Sequence, residues 1–88
     1  MKTTHITAKG KVQGVFFRAN VQKKAEELGL KGYVRNLPNG DVEAVAQGVA
    51  EHVQQLVAFM ESSPGASRVE QINTKEREEG AYSAFEVH

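Results

Sequence analysis

The sequence contains no cysteine, and this absence removes several kinds of chemistry at once. Without a thiol the chain has no disulfide, no thiolate metal ligand and no phosphatase mechanism that uses a cysteine nucleophile. The histidines, His5, His52 and His88, are scattered and stand in no dense group with Asp and Glu. Metal sites usually show such a group, so we expect no metal and no cofactor. We interpret His5 and His52 as solvated surface residues.

Net charge and long hydrophobic runs are missing as well. The chain has 11 Lys+Arg and 11 Asp+Glu, so nothing in its overall charge attracts nucleic acid or anionic lipid. No apolar run approaches the roughly 20 residues that span a bilayer, and the first residues lack the apolar region of a signal peptide. We expect a cytoplasmic protein that binds neither nucleic acid nor membrane.

The composition that remains is typical of a small globular domain. The chain has 88 residues, of which 40% are hydrophobic and 25% are charged. This composition supports a compact core. The length of the chain leaves no room for a second domain. We predict one domain over residues 1–88. We also expect a monomer.

Hydrophobic periodicity predicts two helices. Apolar residues recur at helical spacing over residues 17–28 and again over residues 50–60. Gly29 stands where a helix C-terminal cap belongs, and residues 62–65, SSPG, favour a turn after the second helix. The sequence therefore predicts one helix in the first third of the chain and a second in the middle third.

Alternating apolar residues predict the strands, with a first strand over residues 4–12. A hairpin of strands 32–37 and 41–47 follows, and Asn39-Gly40 between them predicts a tight type I′ turn. Weaker patterns near residues 69–72 and 85–87 predict two closing strands. The resulting order, β-α-β-β-α-β, is that of the ferredoxin-like sandwich, an α+β fold in which two helices pack on one face of an antiparallel sheet. Because this fold hosts many functions, the function must be argued from a site.

The best candidate site is the segment 10–18, GKVQGVFFR, between the first strand and the first helix. Backbone N–H groups at a helix start lack internal partners, and Gly14 permits a turn that directs several of them at one anion. Arg18 adds a planar charged fork that binds two phosphate oxygens together. The segment is neither a Walker A loop nor a dinucleotide fingerprint. From spacing alone, a phosphate cradle and a plain turn before a solvated arginine are equally good interpretations.

Segment 10–18 resembles the first signature of the acylphosphatases, small enzymes that hydrolyse the carboxyl-phosphate bond of acyl phosphates. A second block, residues 32–48, GYVRNLPNGDVEAVAQG, resembles the other signature of that family in order and separation. Chain length, strand order and the closing Phe85-Glu86-Val87 are also similar, so the resemblance extends over essentially the whole chain. The resemblance implies an acylphosphatase.

The resemblance also implies roles for individual residues. Arg18 corresponds to the phosphate-binding arginine, and Asn36 to the residue that positions the attacking water. The loop residues expected to bind the phosphoryl group are Gln13, Gly14, Val15, Phe16, Phe17 and Arg18. The competing interpretation of Asn36 is an amide that bonds its own backbone before Pro38, a common use of Asn beside turns.

A carboxylate leaving group has a reference pKa of about 4, so an acyl phosphate needs little help from a general acid. The enzyme then has to hold the phosphoryl group and place a water in line with the departing oxygen. Asn is a poor general base, so we expect Asn36 to orient the water while the substrate phosphate accepts its proton. Phe16 is a candidate contact for the acyl group, whereas Phe17 belongs to the core stripe of the helix.

Two other classes of function compete with hydrolysis. RNA-recognition motifs share the strand order, and Lys31-Gly32-Tyr33 opens like one of their signatures. The match then fails at Val34 and Arg35, and zero net charge supplies no basic face. The third hypothesis is a silent domain that keeps both blocks as part of its fold and binds phosphate-bearing ligands or a protein without turnover.

Overall fold

The computed structural model describes residues 2–78 and 80–88, which form five strands and two helices. In chain order the elements are β1 (Lys2–Lys11), α1 (Phe17–Glu27), β2 (Lys31–Asn36), β3 (Val42–Gln47), α2 (Ala50–Glu61), β4 (Arg68–Glu78) and β5 (Phe85–Val87). This order confirms the ferredoxin-like sandwich predicted from the sequence. Neither described helix has the length and apolar character needed to cross a bilayer.

The sheet is mixed, which corrects the prediction of a purely antiparallel one. Its strand order is β4-β1-β3-β2-β5, and the pairs β1–β4, β1–β3 and β2–β3 are antiparallel. The short edge strand β5 pairs parallel with β2 through Gly32, Tyr33 and Val34. A strand as short as β5 carries no sequence pattern that specifies its neighbour or direction, so its pairing could not be predicted. Strands β1 and β2 run in the same direction because both are antiparallel to β3, and their C-terminal ends lie at the same edge of the sheet.

Both helices cover one face of the sheet and enclose the hydrophobic core. The buried residues follow the predicted stripes, Phe17, Val21 and Ala25 on α1 and Val53, Leu56 and Met60 on α2. From the sheet, the core receives Ile6, Ala8, Val34, Val42, Ala44 and Ala46. Helix α1 ends at the position expected from the sequence, and Gly29 follows its C-cap with φ 70°. A left-handed residue is the usual helix stop and favours glycine.

A bulge in β4 explains a spacing that is irregular for a strand. Val69 and Ile72 both pack against the core although they are three positions apart. Lys9 pairs with Gln71 and Gly10 pairs with Val69, so Glu70 is the extra residue of a β-bulge. Gly10 has φ 128°, and a Cβ there would collide with the Arg68 carbonyl. Gly10 therefore serves the pairing of β1 with β4, and the candidate anion site begins further along the loop.

The β2–β3 hairpin does not use the predicted type I′ turn. Such a turn needs positive φ at both Asn39 and Gly40, whereas Gly40 has φ 96° and Asn39 is not among the described non-glycine residues with positive φ. Leu37 O accepts the Gly40 N–H at 3.2 Å, and Asp41 O accepts the Leu37 N–H at 2.8 Å. This pattern is a type I turn with Pro38 at its second position, followed by a left-handed glycine. The fixed φ of proline suits that second position, which is why the loop begins one residue earlier than predicted.

Candidate active site

The candidate site lies where β1 and β2 end, at the start of α1. Ala8, Val42 and Asn36 form one row across β1, β3 and β2. Two strand spacings separate the outer members of this row, which places their Cα atoms about 10 Å apart. Past Ala8 the chain reaches the loop and Arg18, and past Asn36 it enters the hairpin turn. The fold therefore brings both sequence-predicted catalytic residues to one edge of the sheet.

The loop presents a run of backbone donors without acceptors. Within residues 2–78 and 80–88, no protein group accepts a hydrogen bond from the backbone N–H groups of residues 14–19. The first internal bond of α1 runs from the Asn20 N–H to Phe16 O at 3.1 Å. A helix start normally leaves its first N–H groups unpaired, and here the unpaired run extends back into the loop. These N–H groups are available to an anion or to water.

The backbone of the loop alternates in handedness. Gly14 has φ 74° and Phe16 has φ 59°, while Val15 between them is not among the described residues with positive φ. Successive residues of alternating handedness turn their N–H groups toward a common point, the arrangement known as an anion-binding nest. The positive end of the α1 dipole adds to the attraction. The turn at Gly14 was predicted from the sequence, whereas the left-handed backbone conformation of Phe16 was not.

Arg18 stands in the first turn of α1, which contains no acidic residue. A cation at this end of a helix is unfavourable unless an anion is bound nearby. Its Nη1 donates a hydrogen bond of 2.6 Å to the backbone oxygen of His88, and the His88 N–H donates to Val34 O at 2.9 Å. Arg18 is thereby connected to β2 two residues before Asn36.

His88 was not identified from the sequence as a neighbour of the site. Its backbone oxygen accepts a hydrogen bond from Arg18, and its ring stacks on that of Tyr33 with the centroids 4.6 Å apart and the planes 10° apart. Both contacts depend on the parallel pairing of β5 with β2. No local sequence signal reports that pairing, so none could have revealed the contact.

Asn36 is exposed at the end of β2. It stands two residues after the buried Val34, so both side chains lie on the face of the sheet that carries α1. Within the described part of the chain, no group forms a hydrogen bond with the side-chain amide of Asn36. The alternative interpretation, in which this amide bonds its own turn, finds no support in the structure. The turn uses Asn39 instead, whose Oδ1 accepts the Asp41 N–H at 3.0 Å.

The side chain of Gln13 is directed at the hairpin. Its Nε2 donates to Leu37 O and to Asp41 O, each at 2.8 Å. The Lys9 ammonium reaches the Asp41 carboxylate at 2.9 Å and fixes the same turn. The Gln13 amide therefore joins the loop to the turn that follows Asn36, a function that the sequence did not indicate.

The remaining loop residues differ in where their side chains lie. Val15 is half-buried against the core and Phe17 is 1% exposed, so any contact of theirs with an anion goes through the backbone. Phe16 is 83% exposed. A cavity of about 280 Å³ opens beside Gly14, Phe16 and Arg18. In the described part of the chain, no group of three or more His, Asp and Glu is placed to hold a metal ion.

The fold and the loop together define the class of this protein, a ferredoxin-like sandwich with an anion cradle at the start of its first helix. The acylphosphatase family model matches residues 4–87. A relative named acylphosphatase from Thiobacillus denitrificans is 49% identical over 98% of this chain and 96% of its own length. The chain therefore belongs to the acylphosphatase family, and this confirms the family and the enzyme class predicted from the sequence.

Solved structures give the same result. The crystal structure of acylphosphatase from Bacillus subtilis superposes with a TM-score of 0.94 at 32% identity, over 100% of this chain and 99% of that one. An acylphosphatase structure from Coxiella burnetii superposes with a TM-score of 0.93 at 45% identity, over 99% and 92% of the two chains. The likeness extends over the full length of the small domain.

Proposed function

We propose that this member of the acylphosphatase family hydrolyses small acyl phosphates to a carboxylate and inorganic phosphate, without a metal or other cofactor. Arg18 and the backbone amides of the loop from Gln13 to Arg18 bind the phosphoryl group, and Asn36 orients the attacking water. The observation that carries this proposal is the run of N–H groups over residues 14–19, beside Arg18, that donate to no protein group within the described chain. Fixed donors of this kind stabilise charge on a transferring phosphoryl group.

A contact with His88 holds Arg18 in position for this task. One of its guanidinium nitrogens donates to the backbone oxygen of His88, and the planar fork offers further N–H groups in fixed directions. Two of these can donate to two oxygens of one phosphoryl group, so Arg18 fixes the orientation of that group as well as attracting its charge. A lysine at this position would supply the charge without the fork.

Asn36 supports the proposal through its position and because its amide forms no hydrogen bond with any other described residue. Its exposed amide stands on the same face and at the same edge as Arg18. An amide oxygen accepts a hydrogen bond from water and thereby sets the direction of the water lone pair. The amide is too weakly basic to remove the proton, so the substrate phosphate accepts it.

The leaving group explains why so few side chains suffice. Cleavage releases a carboxylate with a reference pKa of about 4, which departs without a proton. The site then needs to bind the phosphoryl group, spread its charge and place a water in line with the departing oxygen. Arg18, the loop amides and Asn36 perform these three steps.

We propose a simple cellular setting for this activity. Residues 1–88 act as one domain and as a monomer in the cytoplasm, with a small acyl phosphate as the partner and with no nucleic acid or membrane bound. The zero formal net charge supports the absence of a polyanion partner.

Release of phosphate from benzoyl phosphate tests the proposed activity. We expect turnover that is unchanged when a chelator removes divalent metal ions, because no step uses one. Inorganic phosphate should inhibit competitively. Loss of activity with chelator would contradict the metal-free mechanism. Phosphate binding without any turnover would instead support a silent phosphate-binding domain, and RNA retention that weakens with salt would support the RNA hypothesis.

Substitution of Asn36 separates water positioning from phosphate binding. Asn36→Ala should lower kcat by roughly a hundredfold, the usual scale for losing one well-placed group in a transition state. The inhibition constant of inorganic phosphate should change by less than about threefold, since the proposed cradle does not include this side chain. A large loss of phosphate affinity would contradict the role proposed for Asn36.

A further inference from the structure

Exposed apolar side chains mark a second feature beside the phosphate loop. The large hydrophobic residues exposed in the described chain are Phe16 at 83%, Val49 at 60% and Val87 at 40%. Phe16 and Val87 are distant in sequence, yet both line the 280 Å³ cavity that contains Gly14 and Arg18. An isolated exposed apolar residue needs no explanation, but two that converge on one cavity next to a candidate site do.

The backbone at Phe16 strengthens this observation. An aromatic residue at φ 59° and ψ 20° is in the left-handed region, which is unfavourable for a bulky side chain. Phe16 also forms no side-chain cap bond at the start of α1, where Ser, Thr, Asp or Asn would stabilise the helix. Neither folding nor capping accounts for an aromatic ring here. Strained residues of this kind concentrate at functional sites.

The charges around the cavity restrict what it can accept. Among the described residues that line it, Arg18 alone is charged. Once Arg18 binds the phosphoryl group, an acyl group with its own carboxylate or phosphate would meet no second cation. The volume is also small beside the 300–1,000 Å³ typical of ligand pockets, which favours a small substrate over a nucleotide.

We propose that Phe16 and Val87 form an acyl-binding ledge that makes this enzyme prefer acyl phosphates with an uncharged, apolar acyl group. The inference rests on the hydrolase function proposed above and specifies its substrate class. The phosphoryl group lies on the loop amides and Arg18, and the acyl group extends along the Phe16 ring and the Val87 side chain. An aromatic or branched aliphatic acyl group gains contact area there, whereas an acetyl group gains little.

The test compares kcat/KM for benzoyl phosphate with kcat/KM for acetyl phosphate and follows their ratio across variants. Phe16→Asn removes the ring and keeps a residue that tolerates left-handed backbone. It should lower the ratio roughly tenfold, and Val87→Thr should lower it roughly fivefold, within the range observed for small changes in apolar pockets. Phe16→Tyr keeps the ring and should hold the ratio within about twofold of wild type.

Val49→Thr is the matched control, because it alters an exposed valine at the start of the other helix and should leave the ratio unchanged. An unchanged ratio in both Phe16→Asn and Val87→Thr would overturn the proposal. If circular dichroism shows that Phe16→Asn is unfolded, Val87→Thr alone decides. Wild-type enzyme that releases phosphate from neither substrate would contradict the hydrolase function itself. That outcome is distinct from an unchanged ratio, which would contradict only the acyl-binding ledge.

Discussion

Gly14 shows most directly how one residue shapes the anion cradle. It has φ 74°, and a Cβ built on it would meet no atom within 4 Å. Gly14→Ala should therefore cause no clash, but it should cost about 1 kcal/mol of unfolding free energy from left-handed strain. Because relief of that strain would turn the loop amides, we also expect the inhibition constant of inorganic phosphate to rise roughly tenfold, the equivalent of one hydrogen bond.

Gly29 supplies the control for Gly14. It has φ 70° at the far end of α1, and a Cβ there also meets nothing within 4 Å. Gly29→Ala should lose a similar amount of unfolding free energy in urea titrations while phosphate inhibition stays at the wild-type value. Equal effects of the two variants on phosphate inhibition would show that the left-handed conformation of Gly14 makes no particular contribution to phosphate binding.

The sequence predicts the residues of the site better than their conformations. Gly14 and Arg18 carry local signals, because glycine favours a turn and an arginine at a helix start suggests a bound anion. The left-handed backbone of Phe16 has no such signal, since a phenylalanine normally avoids it. The family resemblance assigned Asn36 a role, but only the structure places it in one row with Val42 and Ala8, at the edge of the sheet where β1 leads into the loop.

At the scale of elements, local patterns predicted what each segment is and missed how distant segments pair. The helices follow the predicted apolar stripes, and the hairpin forms between the predicted strands. The parallel pairing of β5 with β2 places the backbone oxygen of His88 at Arg18, and it depends on contacts between segments that are distant in the sequence. The hairpin turn was predicted wrongly because Asn39-Gly40 was considered without the conformational restriction of Pro38.

Gln13 connects two elements, the loop and the β2–β3 hairpin, and we predict that this connection positions Asn36. Gln13→Met keeps the length of the side chain and removes both bonds to the carbonyls of Leu37 and Asp41. Each carbonyl keeps one backbone donor, so the loss of unfolding free energy should be only about 1–2 kcal/mol. We expect kcat to fall at least tenfold, because small displacements of positioning groups are costly in catalysis, and we expect phosphate inhibition to change little.

Gln47 offers a matched control at the opposite end of the sheet. Its Nε2 donates to Thr3 Oγ1 at 2.7 Å and to Gly80 O, so Gln47→Met removes the same kind of contact away from the loop. This residue is 2% exposed, and its variant should lose more stability than Gln13→Met. Measured well below its melting temperature, Gln47→Met should keep the wild-type kcat. Equal losses of kcat in both variants would indicate a general effect of destabilisation.

For the whole molecule, a balanced charge means that anion binding depends on local geometry. The formal net charge is zero, so no overall field concentrates phosphate at the surface. Attraction has to come from the α1 dipole, the unpaired amides of residues 14–19 and Arg18, which converge at one end of the sheet. Binding at this place connects the loop with the strand pair β2–β5 and should therefore stabilise the entire fold.

Thermal unfolding measures this stabilisation of the fold by bound phosphate. At ten times its dissociation constant, inorganic phosphate should add about 1.4 kcal/mol to the unfolding free energy, because it binds only the folded chain. For a domain of this size the melting temperature should rise by roughly 6–11 °C. Phosphate also stabilises many proteins through exclusion from their surfaces, an effect independent of any site. Arg18→Met separates the two contributions, since exclusion persists while the cradle loses its only side-chain cation. An equal rise in Arg18→Met and wild type would place the stabilisation outside the loop.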